Sequence, residues 1–440
     1  MREMKNSGVA WIGNIPDSWE VKPIRHFLDE RIEKNSNQQV KAILSLSAKE
    51  GVTLYNGENH SGNKPREDLS DYKIVRKNDI VANSMNILSG SVGLSNYLGV
   101  VSPVYYVYYN RDSNVNNLYY LYYLFQCKEF QRGLWGLGNG ILVKETESGS
   151  LNTIRTRIPS KRLRMQLFPS CSKKEQDQIV IALDKNTKKI DILISNQEQQ
   201  IEKLKQYKQS LITEVVTKGL NPDMPMKDSG IEWIGIISAI HNIYRLKYLL
   251  NSQMLYGANE AGSFYTNNAV RYIRITDITE DNKLKDSAEN LYLSIEKAKP
   301  YILKDKDVLF ARSGATVGKA FMYLNEYGKS AFAGYLIKAE CNTQKLLPEY
   351  LFYYTQSSLY EYWKNMIFIQ ATIQNIGANK YSNMPIIQMS LDEQNQIVKF
   401  LDDKCAKIDR LIAIKQEKIN KLNDYKKSLI YEYVTGKKEA

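Results

Sequence analysis

Two stretches of the chain carry the apolar periodicity of long amphipathic helices. Neither stretch contains proline or glycine between Glu175 and Thr217 or between Glu393 and Thr435, and Lys, Glu and Gln fill the faces that are not apolar. The heptad positions are Leu183, Ile190, Gln197, Leu204 and Leu211 in the first stretch, and Leu401, Ile408, Lys415, Leu422 and Leu429 in the second. Adjacent apolar residues are predicted to widen the same stripe, namely Leu193, Ile194, Ile201, Tyr207, Leu411, Ile412, Ile419 and Tyr425.

The two predicted helices are also near copies of each other. At a constant offset of 218 residues, 23 of 43 positions from Glu175 and from Glu393 are identical without a gap. A helix of about 40 residues is about 60 Å long, which exceeds what the core of a small domain requires. Two matched apolar seams are most simply buried on each other, so the pattern predicts an antiparallel coiled coil. The alternative is two separate amphipathic core helices.

A second repeat opens each half of the chain. The motif Ser-Gly-x-x-Trp-Ile-Gly occurs at residues 7–13 and again at residues 229–235. Two prolines in Asn221-Pro-Asp-Met-Pro225 cannot continue a helix and mark the junction between the copies. The predicted organisation is therefore a first domain at 1–171, a long helix at 172–220, a second domain at 221–390 and a long helix at 391–440.

The sequence between the repeats is typical of strands. Tyr105–Tyr109 and Val270–Ile275 are rich in β-branched and aromatic residues. Asp79-Ile-Val aligns with Asp307-Val-Leu at the predicted start of a strand, and we align Ser91-Val-Gly with Thr316-Val-Gly. The predicted fold class is α+β, with two strand-rich mixed α/β domains joined and separated by the paired helices.

Composition narrows the class of protein further. The longest apolar runs are too short to cross a bilayer, and the first residues lead into no apolar signal core. The four cysteines form no CxxC pair, so a disulfide framework or a structural zinc site is not expected, and three histidines leave little for metal binding. The net charge is +12, half of it in residues 1–171, which favours a polyanionic partner. A cytoplasmic protein without a bound metal is expected.

Catalytic motifs are not recognisable. Gly314-Ala-Thr-Val-Gly318-Lys319-Ala320 resembles a phosphate-binding loop, but three residues rather than four separate the glycines, and no hydroxyl residue follows the lysine. No G-x-G-x-x-G follows a predicted strand. Asp305 and Asp307 fall on the strand-start pattern, so paired-carboxylate catalysis is the weaker interpretation. The chain is predicted not to be an enzyme.

Several polar residues of the two domains suit DNA binding. Arginine pairs with guanine or phosphate, amides pair with adenine, hydroxyls contact either, and glycine permits close approach of the backbone. The alternative for each residue is an ordinary solvated side chain. The candidates are Asn83, Ser84, Asn86, Lys144, Arg155, Arg157, Arg312, Ser313, Thr316, Lys319, Gln370 and Thr372, with Arg164 as a further phosphate contact.

With both repeats in view, the whole chain resembles the specificity subunit of type I restriction-modification enzymes. The resemblance rests on the two Ser-Gly-x-x-Trp-Ile-Gly motifs, on Ile15-Pro-x-x-Trp19-Glu20, and on Glu-Gln-x-Gln-Ile-Val at 175–180 and 393–398. The glycine turn within Asp307–Lys319 is similar to one common in that family. One departure is visible, because residues 236–241 lack the proline and the second tryptophan.

The resemblance implies a division of labour. Each domain would recognise one half of a bipartite, asymmetric sequence in double-stranded DNA, and the helices would space the halves and dock two methyltransferase subunits. S-adenosylmethionine, ATP and magnesium would be bound by those subunits and by motor-nuclease subunits, and no cofactor by this chain. The competing hypotheses are a DNA-processing nuclease with degenerate motifs and a coiled-coil adaptor without DNA contact.

Overall fold

The computed structural model describes the chain except residues 1, 58–63, 140–156, 265–268, 280–281, 286–289, 315 and 370–373. The chain forms two compact units. The first unit comprises residues 1–197 and 417–440, and the second comprises residues 198–416. Each unit therefore contains one strand-rich body together with about half of each long helix.

The body of the first unit is built from short strands around a four-stranded antiparallel sheet of order β4-β11-β8-β9. The strands are β1 Met4–Asn6, β2 Asn14–Pro16, β3 Glu20–Pro23, β4 Leu28–Glu30, β5 Leu44–Ser47, β6 Gly51–Leu54, β7 Lys73–Val75, β8 Ile80–Asn83, β9 Val92–Leu94, β10 Gly99–Val101, β11 Tyr105–Asn110 and β12 Leu167–Ser170. The predicted tyrosine-rich strand is β11, and its four tyrosines and one valine suit a pleated, half-buried surface.

Helices contribute to the core of this body. Phe125, Phe130 and Phe168 are buried and pack edge to face, with ring centroids 4.9–5.7 Å apart. The helices are α1 Ile24–Phe27, α2 Leu118–Gln126, α3 Lys128–Gly133, α4 Ser160–Arg164 and the first long helix α5 Lys173–Lys218, which continues into the second unit.

The body of the second unit has the same central sheet, with the order β16-β22-β19-β20. The strands of this unit are β13 Met226–Asp228, β14 Ile236–Ser238, β15 Asn242–Arg245, β16 Leu255–Tyr256, β17 Ala269–Ile273, β18 Leu291–Ser294, β19 Val308–Ala311, β20 Ala320–Met322, β21 Ser330–Phe332, β22 Leu336–Ala339 and β23 Pro385–Gln388. The helices are α6 Ile295–Ala298, α7 Pro348–Tyr354, α8 Ser358–Ile369, α9 Ala378–Ser382 and the second long helix α10 Leu391–Val434.

The two central sheets correct one alignment made from the sequence. Gly318 lies in the turn before β20 with φ +83, whereas Gly93, its predicted counterpart, lies inside β9. The true counterpart of Gly318 is Gly90, which precedes β9 with φ +84. The alignment of 91–93 with 316–318 was therefore wrong, because a shared Val-Gly pair outweighed the left-handed turn that requires glycine.

The long helices run antiparallel within each unit. In the first unit Lys426 bonds Asp191 at 2.6 Å, and in the second unit Lys208 bonds Asp409 at 2.7 Å. At the 218-residue offset Asp191 is equivalent to Asp409, and Lys208 is equivalent to Lys426. The two ion pairs are therefore the same contact made twice, as expected when two copies of one helix pack antiparallel. Helix α5 ends at Lys218 and is followed by Gly219 with φ +81. The left-handed glycine therefore stops the helix before the two prolines do. The predicted α+β fold with paired long helices is confirmed.

The apolar stripe of the long helices is narrower than its sequence suggests. The heptad residues Leu183, Ile190, Leu401 and Ile408 are at most 6% exposed. Four of the residues predicted to widen the stripe are instead 45–58% exposed, so this part of the prediction was wrong. These four residues are Leu193, Tyr207, Leu411 and Tyr425. They occupy equivalent positions in the two helices.

Within the described part of the chain, none of the helices is both long and apolar enough to cross a bilayer.

Candidate nucleic-acid interface

Each body is fixed to the long helices by a pair of tyrosines at equivalent positions. In the first unit the hydroxyl of Tyr120 donates to the carbonyl of Val434 at 3.0 Å, and Tyr123 donates to Asp184 at 2.5 Å. In the second unit Tyr350 donates to the carbonyl of Val216 at 3.2 Å, and Tyr353 to Asp402 at 2.5 Å. Burial raises the pKa of all four phenols, so they remain donors. Two different bodies are therefore attached to the long helices by the same hydrogen bonds.

A buried aspartate begins one central strand in each body. The carboxylate of Asp79 accepts the backbone N–H of Arg76, and that of Asp307 accepts the N–H of Lys304, both at 2.8 Å. Burial raises the pKa of Asp307, whose closest cation is Lys338 at 3.4 Å. The two aspartates therefore make the same contact at the start of equivalent strands, which supports a structural role for Asp307.

The end of strand β19 places a group of polar side chains at one edge of the second body. The guanidinium of Arg312 lies over the ring of Tyr256, with its carbon 5.1 Å from the ring centroid. The phenol of Tyr256 is held in turn, because it accepts the N–H of Ala378 at 2.9 Å. Ser313 pairs with Asn375 through a short antiparallel bridge. We call these residues, together with Thr316, the second-unit edge.

Hydrogen-bonding capacity at the second-unit edge is unused. Among the described residues, Arg312 Nε, Thr316 Oγ1 and Asn375 Oδ1 are buried atoms without a hydrogen-bond partner. A buried polar group without a partner costs about 1–3 kcal/mol, so such groups are uncommon away from functional sites. Within the described part of the chain, no carboxylate pairs with Arg312, because Asp307 pairs with Lys338. Arg312 therefore forms no salt bridge with the aspartate that begins its own strand.

Lys319 differs from Arg312, because its ammonium group donates to the carbonyl of Thr279 within the same body. We therefore expect Lys319→Ala to destabilise the second unit by about 1 kcal/mol, through loss of this hydrogen bond. Thermal melting measures the change. Lys329→Ala, which removes an exposed lysine, should leave the melting temperature unaltered. A phosphate contact would show differently, as a salt dependence of DNA affinity lowered by about one unit without a change in melting.

The corresponding edge of the first body borders a cleft of about 1180 Å³. Asn83 and Asn86 line the cleft, Asn86 is exposed, and the side chain of Asn83 accepts the N–H of Met85 at 3.0 Å. Ser84 is fully buried and donates its hydroxyl to the carbonyl of Val104 at 2.6 Å. The structure thus gives Ser84 a role inside the sheet. The other polar residues of the lining are Ser45, Ser47, Glu50, Thr53, Tyr55, Asn56, Lys64, Arg66, Tyr72, Ser102 and Tyr105.

The remaining predicted contacts are dispersed. Arg157 is exposed at the first-unit edge, which we define as residues 83–86 with Arg157. Arg164 lies elsewhere and bonds Asp29 at 3.3 Å. Four predicted DNA-binding residues lie outside the described residues, namely Lys144, Arg155, Gln370 and Thr372.

Sequence reasoning missed two members of the second-unit edge, Tyr256 and Asn375. Tyr256 lies on β16, which pairs with β22 and reaches the edge only through the sheet. Nothing in its local sequence distinguishes it among 31 tyrosines. Asn375 did carry a signal, because it closes the polar stretch 370–375 between apolar segments. Gln370 and Thr372 of that stretch are among the predicted DNA contacts, and Asn375 is not.

Comparison with known proteins agrees with this architecture. Residues 247–424 match the family of the type I restriction modification DNA specificity domain. A chain solved in work on complex assembly and conformational transition of the type I R-M system has a TM-score of 0.68 at 13% identity, over 96% of this chain and 98% of that one. The HsdS subunit from Thermoanaerobacter tengcongensis gives 0.45 at 13% identity, over 96% and 98%. No curated protein matches the sequence.

The family match is to a DNA specificity domain and covers residues 247–424, and the likeness of fold extends over 96% of the chain. The predicted resemblance to the specificity subunit of type I restriction-modification enzymes is confirmed. The edges described above are therefore the candidates for the DNA recognition that this resemblance implies.

Proposed function

We propose that this chain recognises a bipartite, asymmetric DNA sequence, one half-site with each body. The observation that carries the proposal is that the same tyrosine contacts seat two bodies whose edges differ. The first edge contains Ser84 and Arg157, and the second edge contains Arg312 and Asn375. Two bodies that are attached to the helices in the same way but carry different edge residues are suited to two different half-sites.

Adenine methylation in the source cell tests this proposal. Sequencing of methylated bases should reveal one motif made of two unequal half-sites separated by a fixed gap, and the motif should disappear when the gene is deleted. A continuous motif, or an unchanged pattern after deletion, would contradict the proposal. The purified chain should bind duplex DNA without cleaving it in magnesium, which separates this function from the nuclease and adaptor alternatives.

We also propose that the long helices dock two methyltransferase subunits. The support is the repeated exposure of apolar side chains, since Leu193 and Tyr425 are exposed in the first unit and Leu411 and Tyr207 in the second. Two equivalent apolar positions suit two copies of one partner. S-adenosylmethionine would then be bound by those subunits, and ATP and magnesium by motor-nuclease subunits, with the assembly in the cytoplasm.

Substitution of the exposed leucines should remove the partners one at a time. Leu193→Glu and Leu411→Glu are each expected to halve the methyltransferase bound per chain, because a charge cannot be buried unpaired in the interface. The double variant should bind none. Light scattering of the co-purified complex measures the stoichiometry. Ile181→Glu is the matched control, because Ile181 is 67% exposed and its equivalent in α10 is a lysine. Full stoichiometry in the double variant would place docking elsewhere.

The helices are also proposed to set the gap between the half-sites. Inserting seven residues before Gln197 and seven before Lys415 preserves the heptad phase and lengthens both helices by about 10 Å. The unread gap should grow by about three base pairs, at about 3.4 Å per pair, while both half-sites keep their sequences. Motif sequencing gives the gap directly. An unchanged gap would show that another element sets the distance.

A further inference from the structure

The two edges correspond residue by residue through their backbone hydrogen bonds. The N–H of Ile158 donates to the carbonyl of Ser84 at 3.0 Å, and the N–H of Ile376 donates to the carbonyl of Arg312 at 2.9 Å. One residue earlier on each strand, Asn83 and Ala311 make the same cross-strand bond to the residue that follows the glycine turn. Ser84 is therefore the counterpart of Arg312. The residues before the two isoleucines, Arg157 and Asn375, are counterparts as well.

In the second unit, the arginine is on the central strand. Tyr256 supports the guanidinium of Arg312, and among the described residues none accepts a hydrogen bond from it. Three other arginines of this unit donate hydrogen bonds within it, namely Arg245, Arg271 and Arg274. Arg274, for example, bonds Asp277 at 2.8 Å. The N–H donors of the Arg312 guanidinium are therefore available to a ligand. Because stacking on Tyr256 already fixes the plane of the guanidinium, less side-chain entropy is lost when a ligand binds.

In the first unit, the arginine is on the opposite segment. Ser84 is buried and uses its hydroxyl for Val104, so the central strand presents no side chain there. Arg157 is exposed, and within the described part of the chain its guanidinium has no hydrogen-bond or carboxylate partner. Each edge therefore carries one arginine, supplied from different segments at adjacent positions.

We infer that each unit recognises one guanine of its half-site with this single arginine, Arg157 in the first unit and Arg312 in the second. The planar fork of an arginine matches the O6 and N7 acceptors that guanine presents in the major groove. An unpaired arginine on both edges, despite different flanking residues, points to a guanine at the equivalent place of both half-sites. This inference rests on the proposed function, because it assigns base chemistry to the proposed interface.

Guanine analogues test the inference on the full-length chain. The motif is first selected from a random duplex library, and each guanine is then replaced by 7-deazaguanine, which keeps base pairing and lacks N7. One replacement in each half-site should weaken binding about 10-fold or more, as loss of half of a bidentate contact requires. Arg312→Ser should make the second half-site insensitive to the analogue, and Arg157→Asn should do so for the first.

Moving the arginine within the second unit provides a second test, independent of simple loss of function. Arg312→Ser combined with Asn375→Arg reproduces the arrangement of the first unit. This double variant should regain guanine preference at the second half-site within about threefold of the wild-type affinity. Arg410→Ser removes the same charge from helix α10 and should change affinity equally for all sequences.

Three results would overturn the inference. These are tolerance of 7-deazaguanine at every position, unchanged guanine preference in Arg312→Ser, and a double variant no better than Arg312→Ser. In each case a selected bipartite motif would leave the proposed function intact. Failure of the wild-type chain to select any sequence would instead refute the proposed function together with the inference.

Discussion

Replacing residues 246–384 with a second copy of residues 24–166 is expected to produce a protein that recognises two identical half-sites. The half-site normally bound by the second body should vanish from the motif, and that of the first body should appear twice. The expected effect is complete, because the exchange moves a whole recognition surface rather than a single contact.

The structure supplies the physical reason for this expectation. The chain enters and leaves each body at neighbouring residues, since Ile24 N–H bonds the carbonyl of Gln166 at 2.8 Å and Leu246 N–H bonds that of Met384 at 2.9 Å. The graft therefore begins and ends at matching points. Val216 and Val434 are equivalent residues of the two long helices. In the grafted protein the second copy of Tyr120 should therefore donate to the carbonyl of Val216, which normally accepts from Tyr350.

Selection from a random duplex library measures the outcome, and circular dichroism shows whether the graft folds. The reciprocal exchange, with residues 246–384 in place of 24–166, is the matched control and should duplicate the other half-site. A motif in which both halves change at once would show that the bodies do not recognise DNA independently.

The repeats predicted the scaffold well because scaffold contacts depend on residues close to them in sequence or shared by both copies. The paired helices, the buried strand-start aspartates and the tyrosine-rich strand all follow from local pattern. The prediction was wrong where exposure depends on the partner helix. Leu193 and Leu411 fit the apolar stripe by spacing, yet both are exposed, whereas Ile201 and Ile419 of the same predicted stripe are buried.

The site was predicted less completely, since its members come together only through sheet pairing. Arg312 was identified from its glycine-rich turn, but its neighbours Tyr256 and Asn375 are 56 and 63 residues away in sequence. Local composition does not encode such neighbours. The hydroxyl of Ser84 was interpreted as a DNA contact by residue type alone, whereas the sheet buries it.

The departure of the second opening motif also has a structural explanation. His241 occupies the place of Trp19, and each bonds the glutamate that opens a long helix. Nε2 of His241 lies 2.9 Å from Glu393 Oε1, and Nε1 of Trp19 lies 3.4 Å from Glu175 Oε1. The substitution therefore preserves the contact at the helix start. It leaves Nδ1 of the buried histidine without a partner among the described residues.

The glutamine after that glutamate is expected to have the largest effect on stability. Gln394 is fully buried, accepts the N–H of Leu347 at 2.8 Å, and donates to the carbonyls of Met389 and Lys345 at 2.9 and 3.0 Å. Gln394→Leu keeps the side-chain size and leaves the N–H of Leu347 unpaired. The carbonyls of Met389 and Lys345 each lose one of two donors, because Gln388 Nε2 still reaches them at 3.0 and 3.5 Å. At about 1–3 kcal/mol for the unpaired amide and about 0.5–1.5 kcal/mol for each lost hydrogen bond, the free energy of unfolding should fall by about 2–4 kcal/mol.

Chemical denaturation and amide hydrogen exchange together test this expectation. The Leu347 amide should lose its protection in Gln394→Leu, because that glutamine supplies its acceptor. Asn395→Ala, one position along on the exposed face, should cost less than about 0.5 kcal/mol. Gln176→Leu should reproduce the effect at the amide of Asn117, which bonds Gln176 at 2.7 Å. Retained protection of both amides would show that the glutamines, the most regular feature of the two repeats, do not fasten the bodies to the helices.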